Sequence, residues 1–204
     1  GIQNAPSITE IRFTNCSVND YSAMCGLTKL NRLYLIKPTG KNSEITTLCS
    51  TDRGIATAEF SNLNYFGIVG SEKYIQSTKK DYDSIRYDVT DVSELANLSK
   101  TTKEAIQFMY LQNLQLTSIE CLSDFINVNI IRLEENALTT LDGIQNMTGL
   151  KYLFAQNQFS NVTNSYTLGM NEGDIASSTD ALSYVYGNPN TVLQYYNQYC
   201  SLHI

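Results

Sequence analysis

Apolar residues recur in this chain at one spacing, copy after copy, and that spacing restricts the fold more than any other feature does. Ile106, Met109, Leu111, Leu114, Leu116, Ile119, Leu122 and Phe125 occupy positions 1, 4, 6, 9, 11, 14, 17 and 20 of one unit. The next unit starts 22 residues later, at Val128, and continues through Ile131, Leu133, Asn136, Leu138, Leu141, Ile144 and Met147. Near the N-terminus, Ile8, Ile11, Phe13, Cys16, Val18, Tyr21, Met24 and Leu27 fit the same template, and Leu30 restarts it with Leu33 and Leu35. Looser copies begin at Leu63, Tyr82, Leu150 and Leu182. Leu30 and Leu63 stand 33 residues apart, and Leu150 and Leu182 stand 32 apart. The excess is read as loop insertions over 38–55 and 162–180, both rich in Ser, Thr, Asn and Gly.

The template carries its own physics. Positions 4 and 6 alternate with polar neighbours, which marks a short strand with one buried face. Positions 11, 14, 17 and 20 recur every third residue, a period that suits 3₁₀ or extended turns better than an α-helix. One unit cannot bury its apolar edge alone, so consecutive units must stack with their strands parallel. Strands are therefore expected over 10–14, 32–36, 65–69, 84–88, 108–112, 130–134, 152–155 and 184–187. At position 9, Asn136 and Asn190 can satisfy turn backbone that would otherwise be buried unpaired.

The segment VNIIRLEENALTTLDGIQNMTG at 128–149 shows the pattern LxxLxLxxNxLxxLxxLxxLxx. It resembles the 22-residue class of leucine-rich repeats, carried by bacterial internalin-type surface proteins and by intracellular regulators similar to phosphatase-binding leucine-rich subunits. The resemblance is tight over 8–35 and 106–157. It implies an α/β repeat fold: a leucine-rich-repeat solenoid with a parallel concave sheet and a 3₁₀ or irregular convex side, as a single domain over 1–204. It implies a binding surface without naming a ligand, because one architecture hosts many functions.

Side chains at positions 3, 5 and 7 should point away from the core, onto the concave side. Positions 3 and 5 of the eight copies hold eight aromatics and four arginines, where solvated strands usually carry Lys, Thr, Glu and Ser. Tyr and Arg combine apolar area with directed hydrogen bonds and are enriched in binding hot spots. The expected ligand-binding residues are Arg32, Tyr34, Tyr65, Arg86, Phe108, Tyr110, Arg132, Tyr152, Phe154, Tyr184 and Tyr186. The competing reading is cross-strand stacking that only stabilises the sheet.

Composition sets the other bounds. The chain is 42% apolar and 17% charged, with a formal net charge of −6 spread without runs. Nucleic acid is not expected as a partner, since phosphate neutralisation needs clustered Lys and Arg. No stretch reaches the roughly 20 apolar residues of a membrane span, so no membrane insertion is expected. No signal peptide is visible in residues 1–7. The sole histidine, His203, lies next to the last residue, and Glu134–Glu135 and Asp81/Asp83 read as solvated charge on turns or exposed strand. No catalytic residue, metal site or cofactor is expected. The sequons at Asn15, Asn97, Asn146 and Asn161 carry little weight. The leading reading is a non-catalytic module that recognises a protein ligand, extracellular or at the cell surface. An intracellular scaffold docking on an enzyme and a glycan-binding surface protein stay open beside it.

The five cysteines, at 16, 25, 49, 121 and 200, form no CxxC pair and cannot all be bridged within one chain. They read as small buried hydrophobes. Thiol titration of the denatured, unreduced protein should count five free groups. A count of three or one would reveal disulfides, with Cys16–Cys25 the candidate pair.

Overall fold

The computed structural model describes residues 1–70, 88–138, 141–144, 146–155, 195–196 and 201–202. Among these residues, six strands form one parallel sheet in sequence order: β1 (Glu10–Thr14), β2 (Arg32–Ile36), β3 (Tyr65–Val69), β4 (Phe108–Gln112), β5 (Ile130–Arg132) and β6 (Tyr152–Phe154). Each pair is in register with the repeat, so position 3 meets position 3: Glu10 opposite Arg32, Arg32 opposite Tyr65, Phe108 opposite Ile130. β5 and β6 are shorter than expected, since 130–134 and 152–155 end as strands at Arg132 and Phe154. A two-residue antiparallel pair, β7 (Tyr195–Tyr196) with β8 (Ser201–Leu202), forms a separate sheet.

Backbone hydrogen bonds show how the units stack. At the start of β2, β4, β5 and β6, the amides of positions 2 and 3 converge on the position 2 carbonyl of the preceding unit, as Gln107 and Phe108 do on Asn64 at 3.0 and 2.9 Å. Asn129 and Ile130 do the same on Gln107, and Lys151 and Tyr152 on Asn129. At the far end, the position 8 amide donates to the position 7 carbonyl of the next unit: Asn15 to Ile36, Lys37 to Val69, Gly70 to Gln112 and Asn113 to Glu134, all at 2.8–3.0 Å. Asn15, Lys37, Asn113 and Glu135, all at position 8, adopt φ between 52° and 61°. That left-handed kink turns the chain out of the strand. It is mild for Asn and more costly for Lys and Glu.

The every-third-residue period has a direct cause. Leu122, Phe125 and Val128 each donate a backbone N–H to the carbonyl three residues back, and so do Met24, Leu27 and Leu30, and Ile144, Met147 and Leu150. These are 3₁₀ bonds, formed in part within the segments Ser22–Met24, Ser93–Asn97 and Glu120–Asp124. Residues three apart then eclipse and face one core. The side chains at positions 4 and 6 (Leu33, Leu35, Phe66, Ile68, Met109, Leu111, Ile131 and Leu133) are buried to 0% exposure, alongside Leu116, Leu122 and Phe125 from the turns. Asn136 performs the expected task at position 9. Its amide donates to Leu111 and Leu133 carbonyls at 2.7 and 2.8 Å and accepts from the Leu116 amide at 3.3 Å. Asn190 lies outside the described residues.

Two expectations need correction. The copy starting at Tyr82 places no strand between β3 and β4, because Tyr65 pairs directly with Phe108 and Val69 with Gln112. Most of the expected strand 84–88 lies outside the described residues, yet Val89, Val92, Leu95 and Leu98 are buried as turn positions. The copies at Leu63 and Tyr82 therefore form one unit, with its strand half from the first and its turn half from the second. The second correction concerns 38–55, which contains helix α1 (Lys41–Leu48) and is not simply a loop. Ile45, Leu48, Cys49 and Ile55 from this stretch join the core, and the Glu44 carboxylate, 2% exposed, accepts from the Tyr21 hydroxyl at 2.6 Å. A second helix, α2 (Lys100–Ala105), is capped by Ser99 and anchored by Thr102, whose hydroxyl donates to the Ala58 carbonyl at 2.8 Å. The insertion 162–180 and the expected strand 184–187 lie outside the described residues. Cys16, Cys25, Cys49 and Cys121 are free thiols, with burial pushing Cys49 up to about 12 and Cys121 up to about 11. Burial raises the Cys16 and Cys25 thiols as well.

Leu133, at position 6 of the most regular unit, is fully buried between neighbouring units. Leu133→Ala should cost about 2–5 kcal/mol of stability in urea unfolding, the sum of lost transfer energy and the cavity left behind. A loss below about 1 kcal/mol would mean that position 6 does not face the core.

Candidate functional site

Since positions 4 and 6 face the core, positions 3, 5 and 7 lie on the other face of the sheet. The structure brings eight of the expected binding residues together there: Arg32, Tyr34, Tyr65, Phe108, Tyr110, Arg132, Tyr152 and Phe154, all within β2 to β6. Arg86, Tyr184 and Tyr186 lie outside the described residues.

These side chains brace one another across strands. Phe108 stacks on Tyr65 with ring centroids 4.3 Å apart and planes 7° from parallel. The Arg32 guanidinium, from the neighbouring strand on the other side, lies 4.6 Å from the same Tyr65 ring. Arg12 lies 5.7 Å from the Tyr34 ring, and Arg132 lies 4.7 Å from the Phe154 ring. Tyr34 meets Tyr110 edge-on at 6.2 Å, across the intervening β3. Gly67 permits that contact, because a Cβ there would come 2.8 Å from Tyr34 Cδ1 and 3.2 Å from Tyr110 Cβ. Each aromatic pair contributes about 0.5–1.5 kcal/mol and each cation–π contact about 0.5–1 kcal/mol at a partly exposed site. The cross-strand stacking considered from sequence is therefore present, and it fixes the rotamers of the face.

Position 7 departs from the expectation of an outward, solvated row. Ile36, Val69 and Gln112 are fully buried, Glu134 is 4% exposed, and Tyr34 at position 5 is 4% exposed. Tyr34, Ile36 and Val69 form a small apolar cluster separate from the main core, with Tyr65 and Tyr110 packed against it. Burial pushes the Tyr34 hydroxyl up to about 12 and raises that of Tyr110. A signal for this was available in the runs Leu33–Ile36 and Phe66–Val69, which break the apolar/polar alternation and so read as strands covered on both faces.

Glu134–Glu135 is likewise not solvated charge, as both residues are buried, at 4% and 7% exposure. Burial pushes the Glu134 carboxyl up to about 7, against the opposing pull of the Arg132 guanidinium, whose Nε lies 3.2 Å from Oε1. Gln112 on β4 lies close enough to favour the charged form, yet neither atom of its amide completes a hydrogen bond among the described residues. Glu134 Oε2 and the Asn113 side-chain amide are also unpaired among them. Asp81/Asp83 and His203 lie outside the described residues.

A parallel sheet of stacked strand-and-3₁₀ units defines an α/β repeat fold of the leucine-rich-repeat kind. Among solved structures, the chain is similar to the crystal structure of an internalin C2 from Listeria monocytogenes str. 4b F2365, at 18% identity and a TM-score of 0.50. That match covers 96% of this chain, which spans 64% of the length of the internalin chain. At this identity the likeness is one of fold. No protein-family model matches the sequence, and no curated protein matches it.

Because Glu134 holds its proton more tightly folded than unfolded, the folded state binds the extra proton between about pH 4.5 and 7. Stability from this group is therefore lost as pH rises through that window. The parent should weaken relative to Glu134→Gln by on the order of 2–3 kcal/mol between about pH 5 and 8, read from urea midpoints. Parallel pH profiles for the two proteins would mean that Glu134 is solvated after all.

Proposed function

We propose that this chain is a non-catalytic recognition module that binds a protein ligand through the aromatic and arginine face of its sheet. The observation that carries the reading is the continuity of that face: Arg32, Tyr34, Tyr65, Phe108, Tyr110, Arg132, Tyr152 and Phe154 fall on five consecutive strands in matched register. Such a face is preorganised, so little side-chain entropy is lost on binding. Arg86, Tyr184 and Tyr186 extend the proposed site along the same repeat positions. The reading takes the chain as one 22-residue-class leucine-rich-repeat solenoid over 1–204, with this face concave, acting outside the cell or on its surface. The internalin neighbour supports the fold on which that reading rests. Sugar stacking is less well supported, because Tyr65 already packs between Arg32 and Phe108, and Phe154 against Arg132.

Tyr110→Ala and Arg132→Ala should each weaken a protein ligand captured by the parent by about 2 kcal/mol or more, as truncated hot-spot anchors do. Binding would be measured by calorimetry on folded variants. Tyr110→Ala also loses its edge contact with Tyr34, a stability cost of about 0.5–1.5 kcal/mol that leaves the fold in place. Retention of full affinity by both variants would move the site off this face.

A further inference from the structure

The polar groups at the end of β4 and β5 are incomplete in a patterned way. Glu134 Oε2 is a buried acceptor with no donor, Gln112 Oε1 is a second, and Gln112 Nε2 is a buried donor with no acceptor, all among the described residues. Gln112 and Glu134 occupy position 7 of adjacent units, on the same side of the sheet. A charged carboxylate can only accept, so it leaves Gln112 Oε1 unpaired and bears the cost of desolvation. A neutral carboxylic acid is complementary to a carboxamide, because its O–H can donate to the amide oxygen while its carbonyl accepts from the amide N–H. The Gln112 N–H can donate to the carboxyl in either state, and the added proton supplies the donor that Gln112 Oε1 lacks.

That proton also changes the hold on Arg132. The guanidinium sits 3.2 Å from Glu134 Oε1 through Nε, without hydrogen-bond geometry, and rests on the Phe154 ring. Its side chain keeps 24% exposure, so it borders solvent on the proposed binding face. The charged or titratable groups that act on Glu134 are Arg132 on β5, Glu135 in the following turn and Tyr110 on β4. Of these only Arg132 attracts the carboxylate, so neutralising Glu134 removes the ion pair that Arg132 makes with it.

We propose that Glu134, Gln112 and Arg132 form a proton-operated switch on this face. The charged carboxylate holds Arg132 inward, whereas the protonated acid pairs with Gln112 and releases the guanidinium to an acidic group of a partner. The inference rests on the binding-face reading and adds its regulation: binding of a carboxylate-bearing partner strengthens as pH falls through neutrality. No bond is made or broken apart from the transfer of one proton from solvent to Glu134.

NMR of the full chain, carrying ¹³C in glutamate carboxyls and ¹⁵N in arginine and glutamine side chains, tests this without a ligand. The Glu134 carboxyl should titrate near pH 7, the Arg132 Nε–H resonance should move with the same midpoint, and exchange of the Gln112 amide protons should slow below it. In Glu134→Gln the Arg132 movement should vanish, and acetate, as a carboxylate probe, should perturb Arg132 in the parent more strongly at about pH 6 than at about pH 8. A Glu134 midpoint in the ordinary glutamate range, a stationary Arg132 resonance, or an equal response to acetate at both pH values overturns the switch. Should Glu134→Gln fail to fold, the parent titration and the acetate comparison decide alone. The two readings fail separately. Full ligand affinity in Tyr110→Ala and Arg132→Ala removes the binding face and leaves the titration standing, whereas a silent Arg132 with ligand binding lost on Arg132→Ala removes only the switch.

Discussion

One unit of this chain has a single apolar edge and two flanks of backbone N–H and C=O groups that only a neighbouring unit can satisfy. Everything else in the structure follows from that dependence. Position 2 and 3 amides meet the preceding unit at the start of β2, β4, β5 and β6, and position 8 amides meet the next unit after β1 to β4, so register is fixed from strand to strand. With register fixed, equivalent positions align in rows, and a residue type repeated at one position becomes a stripe. The face of Tyr, Phe and Arg is such a stripe. It is built by the same hydrogen bonds that bury Leu33, Phe66, Met109 and Ile131 on the other side.

Much of this was legible in the sequence, because local and long-range order share one period. The six strands of the sheet follow from positions 4 and 6, and the 3₁₀ turns follow from the every-third-residue spacing. Position 9 alone predicts that Asn136 satisfies buried turn backbone, and the structure supplies its partners. What was hidden has physical reasons. Insertions interrupt a unit without ending it, so Leu63 and Tyr82 look like separate starts, although β3 pairs with β4 across the gap. Helix α1 was masked by its Ser, Thr and Asn content, since only Ile45 and Leu48 reveal its buried side. Burial on the outer face depends on what lies over each strand, which period alone does not encode. Glu134 therefore reads in sequence as solvated charge and in the structure as a buried acid.

The outer face combines two demands that usually compete. Tyr65 and Phe108 are stacked, Arg32 and Arg132 lie against rings, and Tyr34 closes over Gly67, so the surface is ordered before any partner arrives. Order lowers the entropic cost of binding but leaves fewer unsatisfied groups to reward it. The polar end of the face, with Gln112, Asn113 and Glu134 short of partners, is the exception. Buried polar groups left unpaired cost on the order of 1–3 kcal/mol each, and retaining three of them beside an arginine sets this region apart from the self-satisfied aromatic rows.

The contact between Tyr65 and Phe108 joins the architecture to the face, because it requires β3 and β4 to be direct neighbours and the rings to be prestacked. Ring-to-ring nuclear Overhauser effects in the full chain, with Tyr and Phe selectively labelled, measure it. Strong cross-peaks between the Tyr65 and Phe108 rings are expected, consistent with centroids 4.3 Å apart. Their absence, with cross-peaks from Phe108 to residues of the 82–88 segment instead, would place another strand between the two and contradict the account.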